Sequence, residues 1–182
     1  MKVAMLLAPG AGGGRDHPTL VAVEDAVAPV PVERVELPGR TPTAVKAVAA
    51  AAQALCDRTG VAADRVVLGG RSFGGRMCSM AVAEGLPALG LVLISYPLHP
   101  PGRPAQLRSE HFPRLALPCL FVSGRRDPFA TVDELEEATS AIPGPVMHLW
   151  LDGGHGLRGG DARIAAAVKG WVAAVGEGGP RG

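Results

Sequence analysis

Uninterrupted apolar runs and helical apolar stripes take turns along this chain. Lys2 to Ala8 is a continuous apolar run closed by Pro9-Gly10, the pattern of a strand buried on both faces of a parallel sheet. After the glycine-rich loop Gly10 to Gly14, Leu20, Val21, Val23 and Val27 mark one side of a helix, with Asp16 as its expected N-cap. Val30 to Leu37 predicts a second strand, and Pro31 with Glu33, Arg34 and Glu36 suits the edge of a sheet better than its centre. Thr41 is expected to cap a long helix with Pro42 in its first turn. There Ala44, Val45, Val48, Ala51, Ala52 and Leu55 recur at helical spacing until Arg58 and Gly60 close it.

The alternation continues. A third strand enters Gly69-Gly70-Arg71-Ser72-Phe73-Gly74-Gly75 and leaves into a helix from Met77 to Glu84. Leu89 to Ser95 is the most uniformly apolar strand, and a Pro/Gly/His segment, Tyr96 to Pro113, follows it. Pro118 to Ser123 predicts a fifth strand, Thr131-Val132-Asp133-Glu134 a capping box, Val146 to Leu151 a sixth strand, and Asp161 to Val175 the closing helix. Strands alternating with helices, without repeats or a dividing linker, predict the α/β class with a doubly wound parallel six-stranded sheet. The expected organisation is one domain over residues 1–175 and a flexible glycine-rich tail over 176–182.

Composition narrows the function. With 182 residues and 47% apolar content the chain can build a substantial core, and a net charge of +1 gives no electrostatic case for nucleic acid or an anionic membrane. No run approaches the ~18 apolar residues of a membrane span, and the opening apolar run is shorter than the ~7–15 residues of a secretory signal. Cys56, Cys78 and Cys119 lack metal-ligand spacing and are expected as free thiols in a reducing, cytoplasmic setting. The edge strand with Pro31 argues against sheet-to-sheet pairing, so a monomer or weak homodimer is expected.

The stretch around Ser72 carries the chemistry. A serine at a tight strand-to-helix turn, with glycine two residues before and two after, has the form of a nucleophile elbow. Such a turn projects the hydroxyl from the sheet, and the glycines let strand and helix backbones nearly touch. Asp127 follows the fifth strand and His155 the sixth, so the carboxyl ends of a parallel sheet would bring both to the same crevice as Ser72. A serine hydroxyl needs an imidazole to take its proton, and the imidazole needs a carboxylate to fix its tautomer. Ser72 is therefore the expected nucleophile, His155 the base and then acid, and Asp127 the orienting carboxylate. Backbone N–H groups of Ala11 and Phe73 are the expected oxyanion donors.

Rival readings are weaker. Asp152 lies too near His155 along the chain to reach round it easily. His17, His99, His111 and His148 read as a cap, two loop residues and a strand residue, and Arg71 and Arg76 as local supports of the elbow. The glycine loop at 10–14 lacks the third glycine of a dinucleotide fingerprint and the lysine of a phosphate loop, which disfavours a nucleotide site.

Four segments together, Gly-Gly-Arg-Ser-Phe-Gly-Gly-Arg at 69–76, Tyr-Pro-Leu-His-Pro-Pro-Gly-Arg-Pro at 96–104, Ser-Gly-Arg-Arg-Asp-Pro-Phe at 123–129 and Gly-Gly-His at 153–155, carry a family resemblance. The chain resembles a small, lidless family of α/β-hydrolases related to the dienelactone hydrolases and similar to a eukaryotic group that includes a subunit of a histone-acetyltransferase complex. The resemblance implies the minimal α/β-hydrolase fold without a cap domain, with sheet order 2-1-3-4-5-6 in this chain's own count. It implies the same three residues, Ser72, Asp127 and His155. Many relatives have His-Gly where this chain has Pro9-Gly10, and an aspartate where Gly154 stands. The expected activity is hydrolysis of a small carboxylic ester or thioester through an acyl-enzyme, without metal or cofactor, in an open site rimmed by Gly12, His99 and Pro100. A non-catalytic binding or scaffold module and an acyltransferase on the same triad are the alternatives.

Overall fold

In the computed structural model, which describes residues 2–178, six parallel strands form one sheet in the order β2-β1-β3-β4-β5-β6. The strands are β1 (Ala4–Ala8), β2 (Val32–Arg34), β3 (Val66–Arg71), β4 (Gly90–Ile94), β5 (Cys119–Gly124) and β6 (Val146–Leu151). The helices are α1 (Pro18–Val27), α2 (Thr41–Thr59), α3 (Phe73–Ala83), α4 (Val132–Thr139) and α5 (Asp161–Glu177). Over the described residues this is the α/β-hydrolase architecture, with no cap domain.

The central strands are buried on both faces because alternate side chains serve two different cores. Ala4, Leu6 and Ala8 of β1 pack with α2 and α3, through residues such as Val45, Val48, Met77 and Ala81. Met5 and Leu7 of the same strand face α1 and α5, against Leu20, Val23, Ile164 and Val168. Every residue of β1 is fully buried, whereas β2 is three half-buried residues long. Its charges and Pro31 shorten it, and Arg34 and Glu33 use the exposed edge for ion pairs with Asp16, Glu24 and Arg58.

At α1 the structure decides between two expected caps, and at α2 it moves the cap by one residue. His17, not Asp16, caps α1: its Nδ1 accepts the Thr19 N–H at 3.2 Å and Pro18 occupies the first turn, while Asp16 pairs with Arg34. Arg40, not Thr41, stands at the N-cap of α2 without a side-chain bond, because Thr41 has already entered the helix. Gly60 closes α2 in the left-handed region at φ 68°, and Thr131 with Glu134 forms the capping box of α4. Helix α5 runs two residues past Val175, so the expected tail overlaps its last turn at 176–177, and residues 179–182 of that tail lie outside the described residues.

Among the described residues no helix is long and apolar enough to cross a membrane. Cys78 and Cys119 are buried free thiols whose pKa is pushed up to about 12 by burial, which leaves them unreactive; Cys56 is free and half-buried.

The chain passes from β1 outward to β2 and then returns to β3 on the other side, so the order reverses between β1 and β3. The crevice at the carboxyl ends of these two strands is where the fold gathers its functional loops.

Candidate active site

Ser72 sits between β3 and α3 with φ 49° and ψ −115°, a backbone conformation that a residue with a side chain rarely adopts. Two hydrogen bonds hold it there: its N–H donates to the Ile94 carbonyl at 2.7 Å, and its own carbonyl accepts from the Arg76 N–H at 3.1 Å. The flanking glycines are required by contact. A Cβ on Gly70 would lie 2.6 Å from the Ala8 carbonyl oxygen, and one on Gly74 would run into the carbonyl oxygens of Ala8 and Pro9. Since both obstacles are backbone, Gly74→Ala is expected to cost about 3 kcal/mol of unfolding free energy. Gly39→Ala, with open space around it, should stay within ~0.5 kcal/mol, and urea titration of both variants checks the difference.

The structure brings Ser72, His155 and Asp127 together in one line. His155 Nε2 is 2.9 Å from Ser72 Oγ, and its Nδ1 is 2.8 and 3.0 Å from the two oxygens of Asp127. An ionised carboxylate can only accept, so Nδ1 carries the proton and Nε2 is left to accept the one on Ser72. Asp127 has a side-chain exposure of 1%, and its Oδ1 also accepts the Phe129 N–H at 2.9 Å. Phe129 then stacks on His155, ring centroids 4.1 Å apart at 30°.

The histidine loop is fastened from two sides. The Arg71 guanidinium donates from Nη2 to the His155 carbonyl at 3.0 Å, and the Arg126 N–H donates to the Gly153 carbonyl at 2.9 Å. A Cβ on Gly124 would lie 2.5 Å from that same Gly153 oxygen, so the acid loop and the histidine loop meet through bare backbone. Asp152, the rival acid, is exposed, and Asp127 occupies the imidazole nitrogen it would need.

A cleft of about 430 Å³ opens over the serine, lined by Gly10, Ala11, Arg71, Ser72, Phe73, Arg76, Pro97, Arg108, Phe129 and His155. Both expected oxyanion donors, Ala11 and Phe73, are in it. Phe73 is the first residue of α3, where backbone N–H groups have no helical acceptor. Ala11 lies in a turn closed by the Gly13 N–H on the Gly10 carbonyl at 3.0 Å, and Gly10 packs against Ser72 and Arg71.

The expected rim residues lie outside the lining of this cleft. His99 is buried: its Nε2 pairs with Glu134 at 3.2 Å and its Nδ1 with the Pro100 carbonyl at 2.9 Å, so the capping box of α4 draws it away from the cleft. Pro100 is held in that same contact, and Gly12 sits at an exposed turn tip with φ 70°; neither lines the cleft.

The remaining histidines have structural surroundings. His111 lies against Ser79, whose hydroxyl donates to the Arg76 carbonyl at 2.8 Å and so accepts from His111 Nε2, also at 2.8 Å. Burial, with help from Arg76 and Arg114, lowers its pKa to about 4 and keeps it neutral near pH 7. Burial lowers His148 too, beside Thr139. Among the described residues no three His, Cys, Asp or Glu side chains gather where they could share a metal ion.

A family model for the alpha/beta hydrolase domain matches residues 1–163. The chain belongs to that family. Among solved structures, this α/β-hydrolase domain superposes on Est1E from Butyrivibrio proteoclasticus with a TM-score of 0.79 at 16% identity, over 96% of this chain and 88% of that one. A Bacillus cereus carboxylesterase gives 0.69 at 19% identity, over 96% and 89%. The esterase domain of a Rhodothermus marinus protein gives 0.73 at 16%, over 93% and 85%. At such identities these likenesses describe the fold.

Three side chains of this α/β-hydrolase domain's cleft were not among the residues expected from sequence: Pro97, Arg108 and Phe129. Phe129 carried a usable signal, since it follows Asp127 by two positions and a strand-end acid needs a neighbour to shield it. Arg108 lies in a stretch with no periodicity and nothing to place it.

Proposed function

We propose that the protein is a serine hydrolase that cleaves a small carboxylic ester or thioester through an acyl-enzyme. The observation that carries this reading is the unbroken line from Asp127 through His155 to Ser72, each link 2.8–3.0 Å. Ser72 Oγ attacks the carbonyl carbon while His155 Nε2 takes its proton, and the imidazolium that results is stabilised by Asp127. The carbonyl oxygen becomes an oxyanion and accepts hydrogen bonds from the N–H groups of Ala11 and Phe73, a contribution of about 10²–10³ in rate per donor. Collapse breaks the bond to the leaving oxygen or sulfur, which takes the proton from His155. Water then attacks the acyl-enzyme with His155 as base; the carboxylic acid leaves and Ser72 regains its proton. The side chain of His155 is 20% exposed, so water can reach it.

The test is intact-protein mass spectrometry after incubation with a fluorophosphonate. One adduct, mapping to Ser72 and absent from Ser72→Ala, is expected, together with turnover of p-nitrophenyl acetate. A folded wild type that stays unlabelled by small and large probes would sink the reading and favour the binding-module alternative.

A further inference from the structure

The cleft over Ser72 is lined by three arginines, Arg71, Arg76 and Arg108, and by no carboxylate. Among the described residues none of these three forms an ion pair. Arg71 is engaged in holding the histidine loop. Arg76 and Arg108 are not committed in that way. The Nε of Arg76 is buried without a hydrogen-bond partner. Arg108 is half-buried, and desolvation together with the positive charge of Arg76 lowers its pKa.

Neither arginine is there by default of a floppy chain. Arg76 lies one turn into α3, and its N–H is bonded to the Ser72 carbonyl itself. Arg108 is anchored at both ends of its backbone: its N–H donates to the Leu98 carbonyl at 2.8 Å, and its carbonyl accepts from the buried Tyr96 hydroxyl at 2.7 Å. The Tyr-Pro-Leu part of the distinctive 96–104 segment thus serves to fix Arg108 over the cleft. Two half-buried guanidiniums lining one cleft, without a counter-charge, are unfavourable in the empty protein and favourable once an anion enters it.

We propose that Arg76 and Arg108 form an anion subsite, so that the substrate carries a carboxylate or phosphate in addition to the ester or thioester that Ser72 attacks. This rests on the hydrolase reading for the attack and on the arginines alone for the anion. The guanidinium fork suits either oxyanion, and the anion can belong to the acyl part or to the leaving group.

Two matched pairs separate these sources. Monomethyl glutarate against dimethyl glutarate places the charge in the acyl part; 4-acetoxybenzoate against its methyl ester places it in the leaving group. In at least one pair kcat/KM should favour the charged ester by about tenfold or more, and Arg76→Gln and Arg108→Gln should each erase most of that preference. The distant Arg58→Gln should leave the ratio as it is. A ratio at or below one in both pairs, or one that neither variant changes, would overturn the subsite. Titration calorimetry with glutarate keeps the two readings apart if no ester is turned over: binding lost in the double variant would retain the subsite and reject the hydrolase, and no binding to the wild type would reject the subsite as well.

Discussion

Replacing Ser72 with glycine is expected to eliminate turnover and yet make the protein more stable than Ser72→Ala. Either change removes the proposed nucleophile, and the loss of any member of such a triad that acts as a unit is worth ~10⁴-fold or more in kcat/KM. The stabilities should separate because the backbone at residue 72 is held at φ 49°, where a Cβ collides with its own peptide and costs about 1–2 kcal/mol. Alanine keeps that Cβ and glycine removes it. The extra freedom glycine gives the unfolded chain returns some of the gain, roughly 0.5–1 kcal/mol, so a net rise of the order of 2 °C in melting temperature over Ser72→Ala is expected. Calorimetric melting of the two variants beside p-nitrophenyl acetate kinetics checks both halves. Equal melting temperatures would mean that the turn holds no strain at this residue, and surviving turnover would mean that another group is the nucleophile.

That the strain falls on a polar residue where strand and helix backbones nearly touch explains why this site was legible in sequence. An elbow needs a buried strand, two glycines at fixed offsets and a helix, and each leaves its own mark: Val66 to Leu68, Gly70 with Gly74, and the apolar side of α3. Asp127 and His155 were legible for a related reason, since each lies within four residues of the end of a strand that its apolar composition marks. The caps of α1 and α2 and the rim were not. His17 and Asp16 are both capable N-caps, and the choice was made by Arg34, from a different strand, taking Asp16. His99 was drawn from the cleft by Glu134, whose position depends on a helix thirty-odd residues away in sequence. Contacts between loops are set by which partner arrives, and hydrophobic periodicity says nothing of that. Arg108 shows the same limit from the other side, because its place over the cleft comes from Tyr96 and Leu98.

Asp127→Asn is expected to lower kcat/KM by about 10³–10⁴ near neutral pH while leaving the fold in place. The argument is one of tautomers. In the wild type both Asp127 oxygens face His155 Nδ1, which must donate, so Nε2 is free to accept from Ser72. An asparagine can still accept the Phe129 N–H through its amide oxygen, as Asp127 Oδ1 does at 2.9 Å, and this turns its NH₂ toward the imidazole. Nδ1 then becomes the acceptor, the ring proton moves to Nε2, and Nε2 donates to Ser72 Oγ in place of taking its proton. The geometry survives and the base does not. Asp152→Asn alters only an exposed carboxylate that has no bond to the ring, and should change kcat/KM by less than about twofold. Fluorophosphonate labelling rates of the two variants give the same comparison without a chosen substrate. A large loss in Asp152→Asn with a small one in Asp127→Asn would exchange the two assignments, and small losses in both would mean that His155 works without a carboxylate to orient it.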